Sequence, residues 1–235
     1  MLEIHGLHTH YGPSHIVQGL DLVAAQGEVI GIFGRNGVGK TTLLKTIAGW
    51  IKPSAGEIRF AGQRIDGLPA DHISRAGVGF VPEDRRIFPS LTVEENLTLG
   101  FLQVPHRSVA GNRAALGQVY DRFPRLAERR RQYGTTLSGG EQQMLAMARV
   151  LVGEPKLLLV DEPSEGLAPM IVVDLYAIIA EMKRAGCAIL LVEQNVTQAL
   201  DVCDRFIVIE RGAIVLSGDA AAPSDRDKLF ATIAV

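Results

Sequence analysis

Residues 28–41 read Glu28-Val29-Ile30-Gly31-Ile32-Phe33-Gly34-Arg35-Asn36-Gly37-Val38-Gly39-Lys40-Thr41, and the way this stretch changes character halfway decides the fold. Glu28 to Phe33 is apolar and rich in β-branched residues, the pattern of a strand buried on both faces, whereas Thr42 to Gly49 sets apolar residues at helical spacing. The segment between them has the form G-x-x-x-x-G-K-[ST]. Glycines at 34, 37 and 39 permit unusual dihedrals and let backbone N–H groups face a ligand, and the positive end of the following helix favours an anion. The candidate phosphate cradle is therefore Gly34, Arg35, Asn36, Gly37, Val38, Gly39, Lys40, Thr41 and Thr42. Lys40 would reach β- and γ-phosphates as a point charge, and the Thr41 hydroxyl would bind Mg²⁺. A chance match in an ordinary strand-turn-helix is disfavoured by the flanking pattern.

Outward from the cradle, two more strand ends carry chemistry. Lys156 to Val160 is a buried-strand run that delivers Asp161 and Glu162 at its end. Two acids there are costly to bury unless a cation or a water network is near, so Asp161 is the expected Mg²⁺ ligand and Glu162 the group that orients or deprotonates an attacking water. Ala188 to Val192 is a further buried run, ending in Glu193-Gln194-Asn195, and Gly77 to Pro82 ends in the polar loop Glu83-Asp84-Arg85-Arg86. In open α/β sheets the carboxyl ends of strands are where ligands bind.

Leu137-Ser138-Gly139-Gly140-Glu141 opens a helix. Ser138 and Glu141 satisfy the capping-box spacing, but two consecutive glycines in a first turn weaken a helix by about 1 kcal/mol each, which a purely structural start does not require. Bare N–H groups there make an anion site, so Ser138, Gly139 and Gly140 are candidates for a second phosphate contact. Thr92 with Glu95 is another capping box. Residues 101–136 have helical periodicity and a charged run from Arg122 to Arg131, which reads as a solvated helix face in an inserted helical subdomain.

Ahead of the cradle, residues 2–8 and 16–23 alternate as antiparallel strands do, and Tyr11-Gly12-Pro13 between them is a turn. Tyr11 either stacks on a nucleotide base or is a turn tyrosine. His5, His8 and His10 lack an acidic co-ligand and are expected to be solvated rather than metal-binding. The chain of 235 residues can bury about 70% of its unfolded surface, and a net charge of −2 with pI about 6.3 gives no footprint for nucleic acid. Cys187 and Cys203 are expected to be buried, reduced thiols. The N-terminus lacks a signal pattern and no apolar run approaches about 18 residues, so any membrane role is expected to come through a partner.

The order of GRNGVGKT (34–41), LSGGE (137–141) and LLLVDEP (157–163) resembles an ABC-type ATPase across essentially the whole chain, with LSGGE the diagnostic piece. VPEDRRIFPSLTVEENL (81–97), EPSEGLAP (162–169) and LLVEQN (190–195) are similar to the ATP-binding subunit of branched-chain amino acid importers, the LivF type; the related urea importer subunit is also similar. The resemblance implies an α/β P-loop NTPase fold, a single nucleotide-binding domain over 1–235 with an antiparallel β subdomain and a helical subdomain over about 92–152. It also implies two subunits packed head to tail around two ATPs. Lys40, Thr41 and Asp161 of one would hold nucleotide and Mg²⁺, Ser138 and Gly140 of the other would contact the γ-phosphate, and Tyr11 would stack on adenine. The partners implied are transmembrane permease subunits, docked near residues 83–90 and the helical subdomain, a second ABC ATPase that is the same chain or a similar one, and indirectly a substrate-binding protein. The location implied is peripheral, on the cytoplasmic face of the inner membrane.

Three positions depart from the general ABC pattern: Glu83 where glutamine is usual, a carboxylate still able to meet Mg²⁺, Gln194 where the switch histidine is expected, and Ala168 where aspartate is usual. These are compatible with the LivF type, while nearby Glu165 is unexpected there. The alternatives are an ATPase subunit of a urea or short-amide importer, a soluble ABC ATPase acting on nucleic acid or ribosomes, and a GTP-binding switch. The soluble class generally carries tandem copies or coiled-coil insertions, which are absent from the sequence, and the GTP reading leaves LSGGE unexplained.

Overall fold

The computed structural model describes residues 1–233. In chain order the strands are β1 (Leu2–Tyr11), β2 (Ser14–Ala24), β3 (Val29–Phe33), β4 (Ala55–Phe60), β5 (Gln63–Arg64), β6 (Val78–Val81), β7 (Leu157–Asp161), β8 (Ala188–Val192), β9 (Arg205–Glu210) and β10 (Ala213–Asp219). The α-helices are α1 (Lys40–Ile47), α2 (Ala70–Arg75), α3 (Val93–Thr98), α4 (Val109–Arg122), α5 (Pro124–Glu128), α6 (Gly139–Leu151), α7 (Pro169–Arg184), α8 (Val196–Leu200) and α9 (Pro223–Ile233). Thus α3 to α6 follow one another between β6 and β7 with no strand interposed.

Two sheets form. The smaller has the order β2-β1-β4-β5 and is antiparallel; the larger runs β10-β9-β3-β8-β7-β6, parallel except at the β9–β10 hairpin. The parallel strands are continuous apolar runs because both faces are covered. On β3, Val29 and Phe33 join one core with Leu158, Val160, Ile189 and Leu191, while Ile30 and Ile32 join the other with Leu157, Leu159, Leu190 and Val192. The first core packs against α6 and α7, and the second against α1 and the small sheet. Gly31 has no room for a larger residue: a Cβ there would lie 2.7 Å from the Phe33 ring.

Both expected capping boxes form. Glu95 N–H donates to Thr92 Oγ1 at 3.2 Å, and Thr92 N–H donates back to Glu95 Oε2 at 2.7 Å. Ser138 and Glu141 do the same at 3.3 and 2.9 Å. Cys187 and Cys203 are free thiols, their pKa values pushed up to about 12 by burial. Around the first turn, His8 and His15 share a 2.9 Å ring-nitrogen hydrogen bond and His10 stacks on His15 with ring centres 4.2 Å apart. No described helix is long and apolar enough to cross a membrane.

Because β3, β6, β7 and β8 run parallel, the four loops that follow them open on one edge of the sheet. The cradle, Glu83, Asp161-Glu162 and Glu193-Gln194 are brought together there from four separate segments of the chain.

Candidate nucleotide site

At this edge an open cleft of about 360 Å³ is lined by Tyr11, Ile16, Asn36, Gly37, Gly39, Lys40, Thr41, Thr42, Glu83, Glu162, Glu165 and Gln194. The cradle turn needs its glycines: Gly39 has φ 113°, and a Cβ on Gly34, at φ 142°, would sit 2.3 Å from the Ile209 carbonyl. Lys40 opens α1, 4% exposed, and donates to the carbonyls of Gly34 at 2.8 Å and Arg35 at 3.1 Å. Its ammonium lies 3.8 Å from Glu162. Burial pulls its pKa down, against the attraction of Glu162 and Asp161.

Asp161, 1% exposed, accepts the Thr41 hydroxyl at 3.0 Å. Its pKa is raised to about 6, first by burial and then by the negative charge of Glu162 and Glu83, with the Thr41 bond opposing. Glu162 stands in the left-handed backbone region, φ 45°, costly for a non-glycine residue and characteristic of functional turns. Its N–H is anchored on the Val192 carbonyl at 2.9 Å, and its carboxylate accepts the side-chain amide of Gln194. Gln194, which stands where the switch histidine is expected, is thus hydrogen-bonded to Glu162.

Oxygens of Glu83, Glu162 and Glu165 lie within 4.8 Å of one another. Partial burial and the two neighbouring glutamates raise the Glu83 pKa. Clustered carboxylates beside a threonine hydroxyl are hard oxygen donors, the set that suits Mg²⁺. Glu165 is the member whose position sequence reasoning did not use; the available signal was an acid three residues beyond Glu162 in the same loop.

Tyr11, 62% exposed, stands at the cleft mouth. Gly34, Arg35 and Val38 line a separate small cavity of about 100 Å³ on the other side of the turn, with Val208 to Glu210 and the end of α9. Ser138, Gly139 and Gly140 do not line the cleft. Their glycines have near neighbours of their own: a Cβ on Gly139 would come 3.1 Å from Arg85, and one on Gly140 3.1 Å from Ile171. Local packing thus contributes to the small-residue preference at this helix start.

A family profile described as "ABC transporter" matches residues 17–165. The chain is 43% identical over 222 residues, 94% of each chain, to the high-affinity branched-chain amino acid transport ATP-binding protein BraG of Pseudomonas aeruginosa. It is 32% identical to the lipopolysaccharide export system ATP-binding protein LptB of Haemophilus influenzae, covering 93% of this chain and 90% of that one. Among solved structures, the ATP-binding subunit of an ABC transporter superposes with TM-score 0.88 at 26% identity over both full lengths. A dimeric bacterial ABC transporter cassette shares the fold, with TM-score 0.84 at 23% identity over 94% of this chain and all of that one. A strand-turn-helix phosphate cradle facing an acidic strand end, with these matches over nearly the full length, makes the chain a member of the ABC transporter family, an ATP-hydrolysing ATP-binding subunit.

Proposed function

We propose that this chain powers an importer for branched-chain or other hydrophobic amino acids. The observation that carries the reading is the 43% identity to BraG, spread over 94% of both chains rather than confined to the shared nucleotide motifs. In this reading the chain is one nucleotide-binding domain whose segment from about 92 to 152 forms the helical subdomain. Exposed Phe88 and Tyr133, the first just before that segment and the second within it, offer apolar surface to transmembrane permease subunits. The chain then works at the cytoplasmic face of the inner membrane, with a substrate-binding protein delivering the cargo to the permeases.

The residues divide the work. The cradle N–H groups and Lys40 bind the β- and γ-phosphates, Lys40 leaving the Gly34 and Arg35 carbonyls for the anion, and Tyr11 holds the base. Thr41 and Asp161, with Glu83 beside them, hold Mg²⁺, which supplies compensation for phosphate charge. Glu162 accepts a proton from water, and Gln194 holds the Glu162 carboxylate through an amide that keeps its donor at any pH near neutral. Ser138 and Gly140, exposed or half-exposed and away from the cleft of their own chain, reach the γ-phosphate of a second ATPase packed head to tail.

Uptake of labelled leucine and of labelled urea, in cells lacking the gene and in cells complemented with wild type or Lys40→Ala, tests the assignment. Leucine uptake is expected to vanish, to return with wild type and not with Lys40→Ala. Loss of urea uptake with leucine unaffected would transfer the assignment to the urea or short-amide class, and no loss of either would leave a soluble ABC ATPase as the better reading.

A further inference from the structure

Glu193 has no part in the division of work above, yet it is a carboxylate 2% exposed at the end of β8. Among the described residues no lysine or arginine pairs with it. Three donors hold it instead: Oε1 accepts the Ser164 N–H at 3.1 Å, and Oε2 accepts the Ser164 hydroxyl at 2.9 Å and the Gln194 N–H at 3.2 Å. A buried acid without a cation is costly, and burial raises its pKa against these bonds. The cost is tied to a particular geometry. Ser164 lies two residues beyond Glu162, and Gln194, the residue after Glu193, donates its side-chain amide to Glu162. Covalent chain and hydrogen bonds therefore close a ring, Glu162 to Ser164, Ser164 to Glu193, Glu193 to Gln194, and Gln194 back to Glu162.

We propose that Glu193 is a positioning residue for ATP hydrolysis: its carboxylate locks the loop after β7 to the loop after β8 and so fixes where the Glu162 carboxylate points. The inference rests on the assignment of Glu162 as the group that takes the water proton. Glu162 sits at φ 45°, a conformation that persists only where surrounding bonds over-determine it, and the ring supplies such bonds from both sides of the residue. A glutamine at 193 cannot do the same. It has one acceptor oxygen where the carboxylate has two, so either the Ser164 N–H or the Gln194 N–H must lose its acceptor and face an NH₂ group. The ring meets the cradle only through the Glu162 carboxylate, 3.8 Å from the Lys40 ammonium, and leaves the Lys40 contacts with the Gly34 and Arg35 carbonyls in place, so nucleotide affinity is expected to change little.

The test is steady-state hydrolysis of Mg²⁺-ATP by wild type, Glu193→Gln, Ser164→Ala and the double variant, with Glu162→Gln alongside. Misplacing a reacting group by about 1 Å costs on the order of 100-fold, so kcat of Glu193→Gln is expected to fall roughly 10- to 100-fold with KM within about threefold of wild type. Ser164→Ala should lose less, and the double variant should be no worse than Glu193→Gln, because both substitutions break one unit. Wild-type kcat in Glu193→Gln, a matching rise in KM, or additive losses in the double variant would each overturn the proposal. Should Glu193→Gln fail to bind nucleotide through misfolding, Ser164→Ala decides by the same split, a lowered kcat at constant KM supporting the ring and an unchanged kcat refuting it. Wild-type turnover in Glu162→Gln would instead strike at the assignment of Glu162 itself.

Discussion

Lys40 is 4% exposed and spends its donors on the Gly34 and Arg35 carbonyls, with the Glu162 carboxylate 3.8 Å away. Hydrogen bonds to a charged group contribute about 1.5–3 kcal/mol, so Lys40→Ala should weaken ATP binding roughly 10- to 100-fold in a calorimetric titration. Unchanged affinity would remove Lys40 from the phosphate site. The role proposed for this residue was legible because the spacing of glycines, lysine and threonine is a local pattern, written into eight consecutive positions. Glu165 and Glu193 were not legible in that way. Glu165 acquires its surroundings from Glu83, more than eighty residues earlier, and Glu193 from Ser164, and no periodicity reports which strand ends will meet. Glu162 shows the same limit: its sequence position at a strand end indicates an acid near the site, but its left-handed backbone and its bond to Gln194 follow only from the loop packing.

Capping boxes at Thr92–Glu95 and Ser138–Glu141 were readable because both partners lie within one turn, and each forms as expected. The β1–β2 hairpin was readable as two strands, whereas the association of its histidines was hidden by its irregularities. Register shifts fall between Leu7 and His8 and between Thr9 and His10, so His10 pairs with His15 across the turn while His8 reaches the same ring. Desolvation first, and then the nearness of His10 and His8, lowers the His15 pKa from 6.5. The folded hairpin therefore disfavours the charged imidazole. Its contribution to stability is constant above the unfolded pKa, falls as pH drops through about 6.5, and levels off below the folded value. Melting temperatures of wild type and His15→Gln measured from pH 7.5 to 5.5 should diverge, with wild type losing more on acidification. Parallel curves would show that the stack has no energetic consequence.

Between β6 and β7 the chain leaves the parallel sheet for four helices and returns, so the Ser138 motif is carried to a place outside the cleft that holds Lys40 and Glu162. The sequence order of motifs was sufficient for the family and for the α/β class, because each motif sits at a strand or helix end whose signal is local. It was insufficient for the separation of the cradle from the Ser138 segment, the two segments proposed to contact phosphate, which depends on how the helices pack on α7. A cleft with one lysine, a threonine and a convergence of carboxylates is suited to bind a polyphosphate with its cation and then to activate water, two functions assigned here to different residues. In this site binding and water activation are separable. Measured side by side for wild type and Glu162→Gln, Mg²⁺-ATP binding should be equal within about threefold, while phosphate release by the variant should fall at least 100-fold, as loss of a general base entails. Wild-type phosphate release in Glu162→Gln, or loss of ATP binding together with hydrolysis, would contradict it.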